Sequence, residues 1–141
     1  MNWWSVFQRV QLWLIFLFIQ LSNFQPLQFL DIAKELTEGT TEAHWRTSMG
    51  RAYYAVFGFA RNNIAGHELP FAKNIHESII MYFKTSSDPA MKKIGANLVT
   101  LYDQRVIADY RYDKTVTKYW TKLPIELADR TVADLESKGF L

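Results

Sequence analysis

At 141 residues, 49% of them hydrophobic and 16% aromatic, the chain has the size and the apolar content of one folded domain with a real core. The absence of cysteine excludes a disulfide scaffold, a thiol nucleophile and thiolate-bound zinc or iron–sulfur sites, and it fits a reducing cytoplasm. A formal charge of +2 is too small for a global polyanion-attracting field, so any nucleic-acid contact has to come from a local patch.

Residues 1–23 form an apolar segment unlike the rest. Its centre, VQLWLIFLFIQL, is shorter than the roughly 20 residues a membrane-spanning helix needs. Arg9 precedes the apolar run as in a signal peptide, but Leu21, Ser22 and Asn23 make a poor cleavage site. Three readings stand: a helix that packs on the domain or on a second copy, a membrane-anchoring or targeting segment, and an upstream extension foreign to the domain.

From residue 24 to residue 141 the pattern is helical throughout. Leu27, Leu30, Ala33 and Leu36, with Ile32 beside them, form one amphipathic face over 27–37, which Gly39 ends. Thr40 and Thr41 offer N-caps for a helix over about 42–64 with the stripe Trp45, Met49, Tyr53, Val56, Ala60 and Ile64, and Gly66 stands as its C-cap. A third helix is predicted over roughly 71–84, with Ile75, Ile79, Tyr82 and Phe83 inward and His76 at the edge of that face. Asp88 as N-cap and Pro89 at the first helical position open a fourth helix that runs to about Tyr110. After the polar stretch YDKTVT a last helix carries Leu123, Leu127 and Leu135, holds Pro124 in its first turn or kinks there, and stops at Gly139. No stretch alternates with period two beside hairpin signals. The predicted fold is therefore all-α, an up-and-down bundle of four to five helices with no sheet.

The inward face of the fourth helix, taken in steps of three and four, reads Met91, Ile94, Leu98, Leu101, Arg105, Asp109, Tyr112. Its last three positions are polar. Asp109 lies one turn beyond Arg105, and Tyr102 one turn before it. Spacing leaves two readings open: a half-buried ion pair closing the end of the bundle, or a site in which the arginine holds a phosphate and a tyrosine or aspartate contacts the ligand. On the second helix, Arg46, Gly50, Tyr54, Gly58 and Arg61 share a face, and the two glycines point to close helix packing rather than to a ligand groove. Arg51, beside Tyr53 and Tyr54, calls for a specific acidic or ligand partner. His44 and His67 fall near helix ends as surface residues. Three histidines without clustered carboxylates imply no metal site, and no cofactor motif is present.

Two segments together resemble a known family. RTSMGRAYYAVFGFAR, residues 46–61, is similar to the long helix of HEPN domains, and LYDQRVIADYRYD, residues 101–113, resembles the later helix that carries their Arg-x4-6-His signature. KNIHESIIMYF, residues 73–83, resembles the third helix of the subgroup related to the C-terminal domain of sacsin. The likeness covers about residues 24–138. HEPN domains are helical bundles, commonly dimeric; many are metal-independent endoribonucleases whose site joins two protomers, and some are toxins paired with a nucleotidyltransferase-like antitoxin.

Carried over by position, the resemblance gives Arg105 the role of the motif arginine and puts Tyr110 where the histidine stands. Tyr112 falls where toxin members place a tyrosine that their partner modifies. A tyrosine, with a reference pKa of about 10, is a poor base at neutral pH, so the substitution implies binding with weak or no cleavage. His76 is the alternative base. Arg51, Tyr54, Tyr102, Arg111 and Tyr112 are the expected ligand-binding residues. Over residues 105–122, Arg105, Arg111, Lys114, Lys118 and Lys122 stand against Asp109 and Asp113, with Tyr112, Tyr119 and Trp120 interleaved, which gives the choice between a base-stacking anionic site and a solvated helix start. The leading expectation is a nucleotide- or RNA-binding domain, a homodimer, in a toxin–antitoxin or related defence module. The alternatives are an active RNase toxin and a non-catalytic module that pairs with a nucleotidyltransferase-like protein.

Overall fold

The computed structural model describes residues 24–139, so the expectations for residues 1–23 lie outside the described residues. Within them there are five α-helices and no strand: α1 (Gln28–Leu36), α2 (Glu42–Asn63), α3 (Ile75–Lys84), α4 (Pro89–Tyr110) and α5 (Lys122–Ser137), with a 3-10 turn (Lys118–Thr121) leading into α5. The expected helical bundle is the observed one. None of these helices is long and apolar enough to cross a membrane.

The ends are set by local chemistry. Thr41 accepts from the His44 amide at the start of α2, and Asp88 accepts from the Ala90 amide while Pro89 opens α4. Gly66 adopts φ +85° just beyond α2, a left-handed conformation that side chains with a Cβ rarely adopt. The third helix begins at Ile75, later than the expected 71, because the Asn74 side chain accepts from the Glu77 amide at 3.0 Å and Glu77 reaches back to the Lys73 amide at 2.9 Å. This reciprocal pair fixes the start of the helix. Pro124 sits in the first turn of α5, where its missing N–H has no helical partner to lose.

The long helices α2 and α4 pack on each other, α1 and α5 cover α2, and α3 lies against α4. The core between them holds Tyr53, Val56, Ile64, Ile79, Phe83, Ile94, Leu98, Leu101 and Leu135, all buried. Fully burying an aliphatic or aromatic side chain of this size stabilises by about 1.5–3 kcal/mol. A smaller cluster of Met49, Ala108 and Val116, with Trp45 and Trp120 against it, closes one end beneath the RVIADYRY segment. Three predicted inward residues face solvent instead: Ile32, Ile75 and Leu123 are each more than 40% exposed. Helices this short bury a narrower stripe than the runs of apolar residues suggest.

Gly58 lets the segment that leads into α1 approach α2 closely, because a Cβ there would stand 2.7 Å from Pro26 Cβ. Close packing was the expected use of this glycine. Gly50 is different: a Cβ would meet only Asp109 Oδ1, at the ordinary distance of 3.6 Å.

Candidate functional site

At the C-terminal half of α4 the inward stripe behaves as its spacing predicts as far as Arg105, which is buried, and then departs from it. Ala108, not Asp109, continues the core; Asp109 is half-buried. Tyr112 was expected on the inward stripe and is 80% exposed, because the helix ends at Tyr110 and the chain turns away. Periodicity holds only as long as the helix does.

Arg105 sits in a cage of rings. Its guanidinium carbon is 6.0 Å from the Tyr53 ring centroid, 5.4 Å from Tyr54, 5.6 Å from Tyr102 and 5.7 Å from Tyr110. Each lies within the range over which an aromatic face attracts a cation. One nitrogen, Nη2, donates to the Tyr54 hydroxyl at 2.8 Å. Nε lies 3.3 Å from Asp109 Oδ2, close enough for an ion pair, yet it is buried and makes no hydrogen bond among the described residues. Distance without alignment gives Coulomb attraction only. A guanidinium has five N–H donors, so most of the capacity of Arg105 is unspent. Burial disfavours its charge, but the Tyr54 hydroxyl and the nearby Tyr54, Asp109 and Tyr110 oxygens outweigh that effect and raise its pKa above the ordinary value.

Behind the cage lies His76. Its Nδ1 is 2.7 Å from the Tyr53 hydroxyl, and its ring stacks on Phe57 at 4.5 Å. Burial, then the charge of Arg105, lowers the His76 pKa, so the imidazole is neutral at pH 7. Burial also pushes the Tyr53 pKa well up, which keeps its hydroxyl protonated. Tyr53 is fully buried and its hydroxyl meets no other acceptor among the described residues, so it donates to Nδ1. That assigns the imidazole proton to Nε2, and His76 offers a donor there rather than a base. Beside the cage, between α3 and α4, runs a groove of about 350 Å³ lined in part by Lys73, His76, Glu77, Lys84, Val99 and Tyr102.

The structure thus brings together Arg105, Tyr110, Asp109, His76, Tyr54 and Tyr102. Tyr110 is 63% exposed and presents its ring to solvent beside Arg105. Arg51 was expected to have an acidic or ligand partner; its partners are the rings of Phe29 at 4.7 Å and Tyr54 at 5.2 Å, and it makes no ion pair among the described residues. Helix α1 crosses where a carboxylate was expected. Arg111 also stands apart from the cage, clamped to both oxygens of Asp113 at 2.9 and 2.8 Å. Among the described residues no group of histidine and carboxylate side chains has the arrangement to hold a metal ion.

Two functional neighbours escaped the sequence reading. Tyr53 reads as core from its spacing, yet its hydroxyl sets the His76 tautomer. Arg46 closes this end of the bundle: Nη1 donates to the Ile107 and Ala108 carbonyls at 3.1 and 2.9 Å, Nη2 to those of Arg111 and Lys114, and Nε to Glu42 at 2.8 Å. Glu42 in turn accepts from the Val116 amide at 2.9 Å. A cation at the carbonyl end of a helix meets both unpaired acceptors and the negative end of the dipole. The i,i+4 spacing of Glu42 and Arg46 was the one visible signal of this clamp.

The basic segment loses most of its surplus on folding. Arg105 faces Asp109, Arg111 holds Asp113, Lys118 holds Glu38 at 2.9 Å, and Lys122 lies 4.0 Å from Glu126. Compared with family models, with curated proteins and with solved structures, the chain matches none.

Proposed function

We propose that this chain is a HEPN-like domain that binds a phosphate-bearing ligand, a nucleotide or RNA, at the Arg105 end of the bundle, as a component of a toxin–antitoxin or related defence module. One observation carries the reading: a buried guanidinium, caged by four tyrosine rings, retains unspent donors. A buried donor left unmade costs about 1–3 kcal/mol, and Nε is such a donor, which a phosphate oxygen would satisfy. Tyr110, exposed at the mouth of the cage, offers a ring face on which a base can stack.

The same geometry favours binding over cleavage. Removing a 2′-hydroxyl proton needs a base within reach, and His76 presents N–H rather than a lone pair, with Tyr110 in place of the motif histidine. In a titration with AMP and with a short single-stranded RNA, Arg105→Met should weaken binding by at least about tenfold, the loss expected for one charge-assisted hydrogen bond. Unchanged affinity in that variant removes the site. Metal-free incubation with structured and single-stranded RNA should show no cleavage above background, and efficient cleavage lost in Arg105→Met would restore the nuclease reading.

A second reading has its own observation. At the end of α4 Tyr112 stands exposed against the Arg46 clamp and Tyr110 exposed beside Arg105, a placement suited to a nucleotidyltransferase-like partner that docks on or modifies this end. Co-purification with such a partner, lost in Tyr112→Ala with ligand binding intact, tests it.

A further inference from the structure

We infer that the groove between α3 and α4 carries a single-stranded RNA onward from the Arg105 cage, with Lys73 and Lys84 taking further phosphates of the strand. The inference rests on the reading given to the cage and narrows its ligand to an oligonucleotide rather than a mononucleotide.

Groove and cage share a wall. His76 and Tyr102 both line the groove of about 350 Å³. Tyr102 is also one of the rings around Arg105, 5.6 Å from the guanidinium carbon, and its ring centroid lies 6.0 Å from that of His76. The Nε2–H of His76 has no hydrogen-bond partner among the described residues, so it remains a donor for a ligand that passes from the cage into the groove.

Charge identifies the occupant. Lys34, Lys93, Lys118, Lys122 and Lys138 each face a carboxylate. Lys73 and Lys84 are exposed, line the groove and make no ion pair among the described residues. Glu77 lines it too, and one of its oxygens is engaged by the Lys73 amide at 2.9 Å, so two lysines against one glutamate leave a positive surplus. Lys73 precedes the start of α3 and Lys84 is its last residue; the ten residues of the helix span about 15 Å. One phosphate at Arg105 cannot also reach cations at both ends of that length, whereas a strand brings a phosphate with every nucleotide. Gly95 brings the last residue of α3 against α4, since a Cβ there would stand 2.7 Å from both the Lys84 amide nitrogen and Cγ. The stem of Lys84 is thus held at its base, which lowers the cost of ordering its ammonium group on a ligand. An acidic peptide would meet the same lysines, but it has no bases to stack on the exposed ring of Tyr110 at the mouth of the cage.

The test compares two probes, AMP and a 5′-phosphorylated pentaadenylate, on the full chain and on Lys73→Gln/Lys84→Gln. Pentaadenylate should bind at least about tenfold more tightly than AMP, and the double variant should lose about tenfold for pentaadenylate with AMP affinity unchanged. The slope of log affinity against log salt should become shallower by about 0.7 for each lysine removed. Both lysines are exposed and glutamine keeps the stem of each, so the variant folds; unchanged melting curves verify this. Pentaadenylate affinity no better than that of AMP, or a salt slope unchanged in the double variant, overturns the inference; AMP binding that is still lost in Arg105→Met then leaves the cage reading standing. If neither probe binds, the cage reading fails and the groove inference with it. Lysine-dependent binding of decaglutamate by a chain that leaves pentaadenylate unbound overturns it in favour of an acidic peptide.

Discussion

If Arg105 were retained for the fold, replacing it with a residue of similar shape and no charge would be costly; if it is retained for a ligand, the fold should scarcely notice. The structure allows the sum for Arg105→Met. Lost are one charge-assisted hydrogen bond to Tyr54, worth about 1.5–3 kcal/mol, cation contacts with four rings worth about 0.5–1 kcal/mol each, and an ion pair to a partly exposed Asp109 worth less than about 1 kcal/mol. Gained are relief from desolvating a guanidinium, a cost of several kcal/mol, and thioether contacts with four rings of about 0.3–1.5 kcal/mol each. Tyr54 and Asp109 are only partly buried, so water replaces what they lose. The opposing sums are similar, and the net change in unfolding free energy should lie within about 1 kcal/mol of zero. Urea unfolding of wild type and variant, with equal slopes, measures it. A loss of about 3 kcal/mol or more would refute the reasoning and make Arg105 a structural ion-pair residue.

Arg46→Met should behave in the opposite way. It strips four backbone carbonyls and Glu42 of a common donor, so a loss of roughly 3 kcal/mol is expected, with faster hydrogen exchange at the Val116 amide; a loss below about 1 kcal/mol would mean that water substitutes for the clamp. Gly50→Ala should stabilise by up to about 1 kcal/mol through helix propensity, since only Asp109 Oδ1 is near, whereas Gly58→Ala should destabilise by about 1 kcal/mol or more as its methyl displaces Pro26. Equal effects in thermal melts would contradict the packing described. The lowered His76 pKa means that the unfolded chain binds its proton more readily than the folded one, so stability is complete above the unfolded value of about 6.5 and declines as pH falls through the folded value. Urea midpoints measured from pH 7.5 down to pH 5 should fall in the wild type and fall less in His76→Gln; parallel profiles would remove His76 as the source.

What the sequence determined was local. The caps at Thr41 and Asp88, the left-handed Gly66, the helical periods and the i,i+4 pairing of Arg105 with Asp109 all depend on residues within about one turn of each other, and all appear where their spacing puts them. The groups of the cage were also legible one at a time, because Arg105, Tyr102 and Asp109 share a helix face and Tyr54 and His76 occupy marked positions on their own helices.

Tertiary structure decided how those groups are spent. Whether a lysine is free depends on partners such as Glu38, eighty positions from Lys118, and the Arg46 clamp reaches carbonyls more than sixty positions away. The end of α4 at Tyr110 sends Tyr112 outward, and a hydroxyl from α2 fixes the proton of an imidazole on α3. Periodicity ranks residues around one helix axis, but it carries no information on which side chain of another helix stands opposite. Burial, charge pairing and tautomer are set there, where the helices meet.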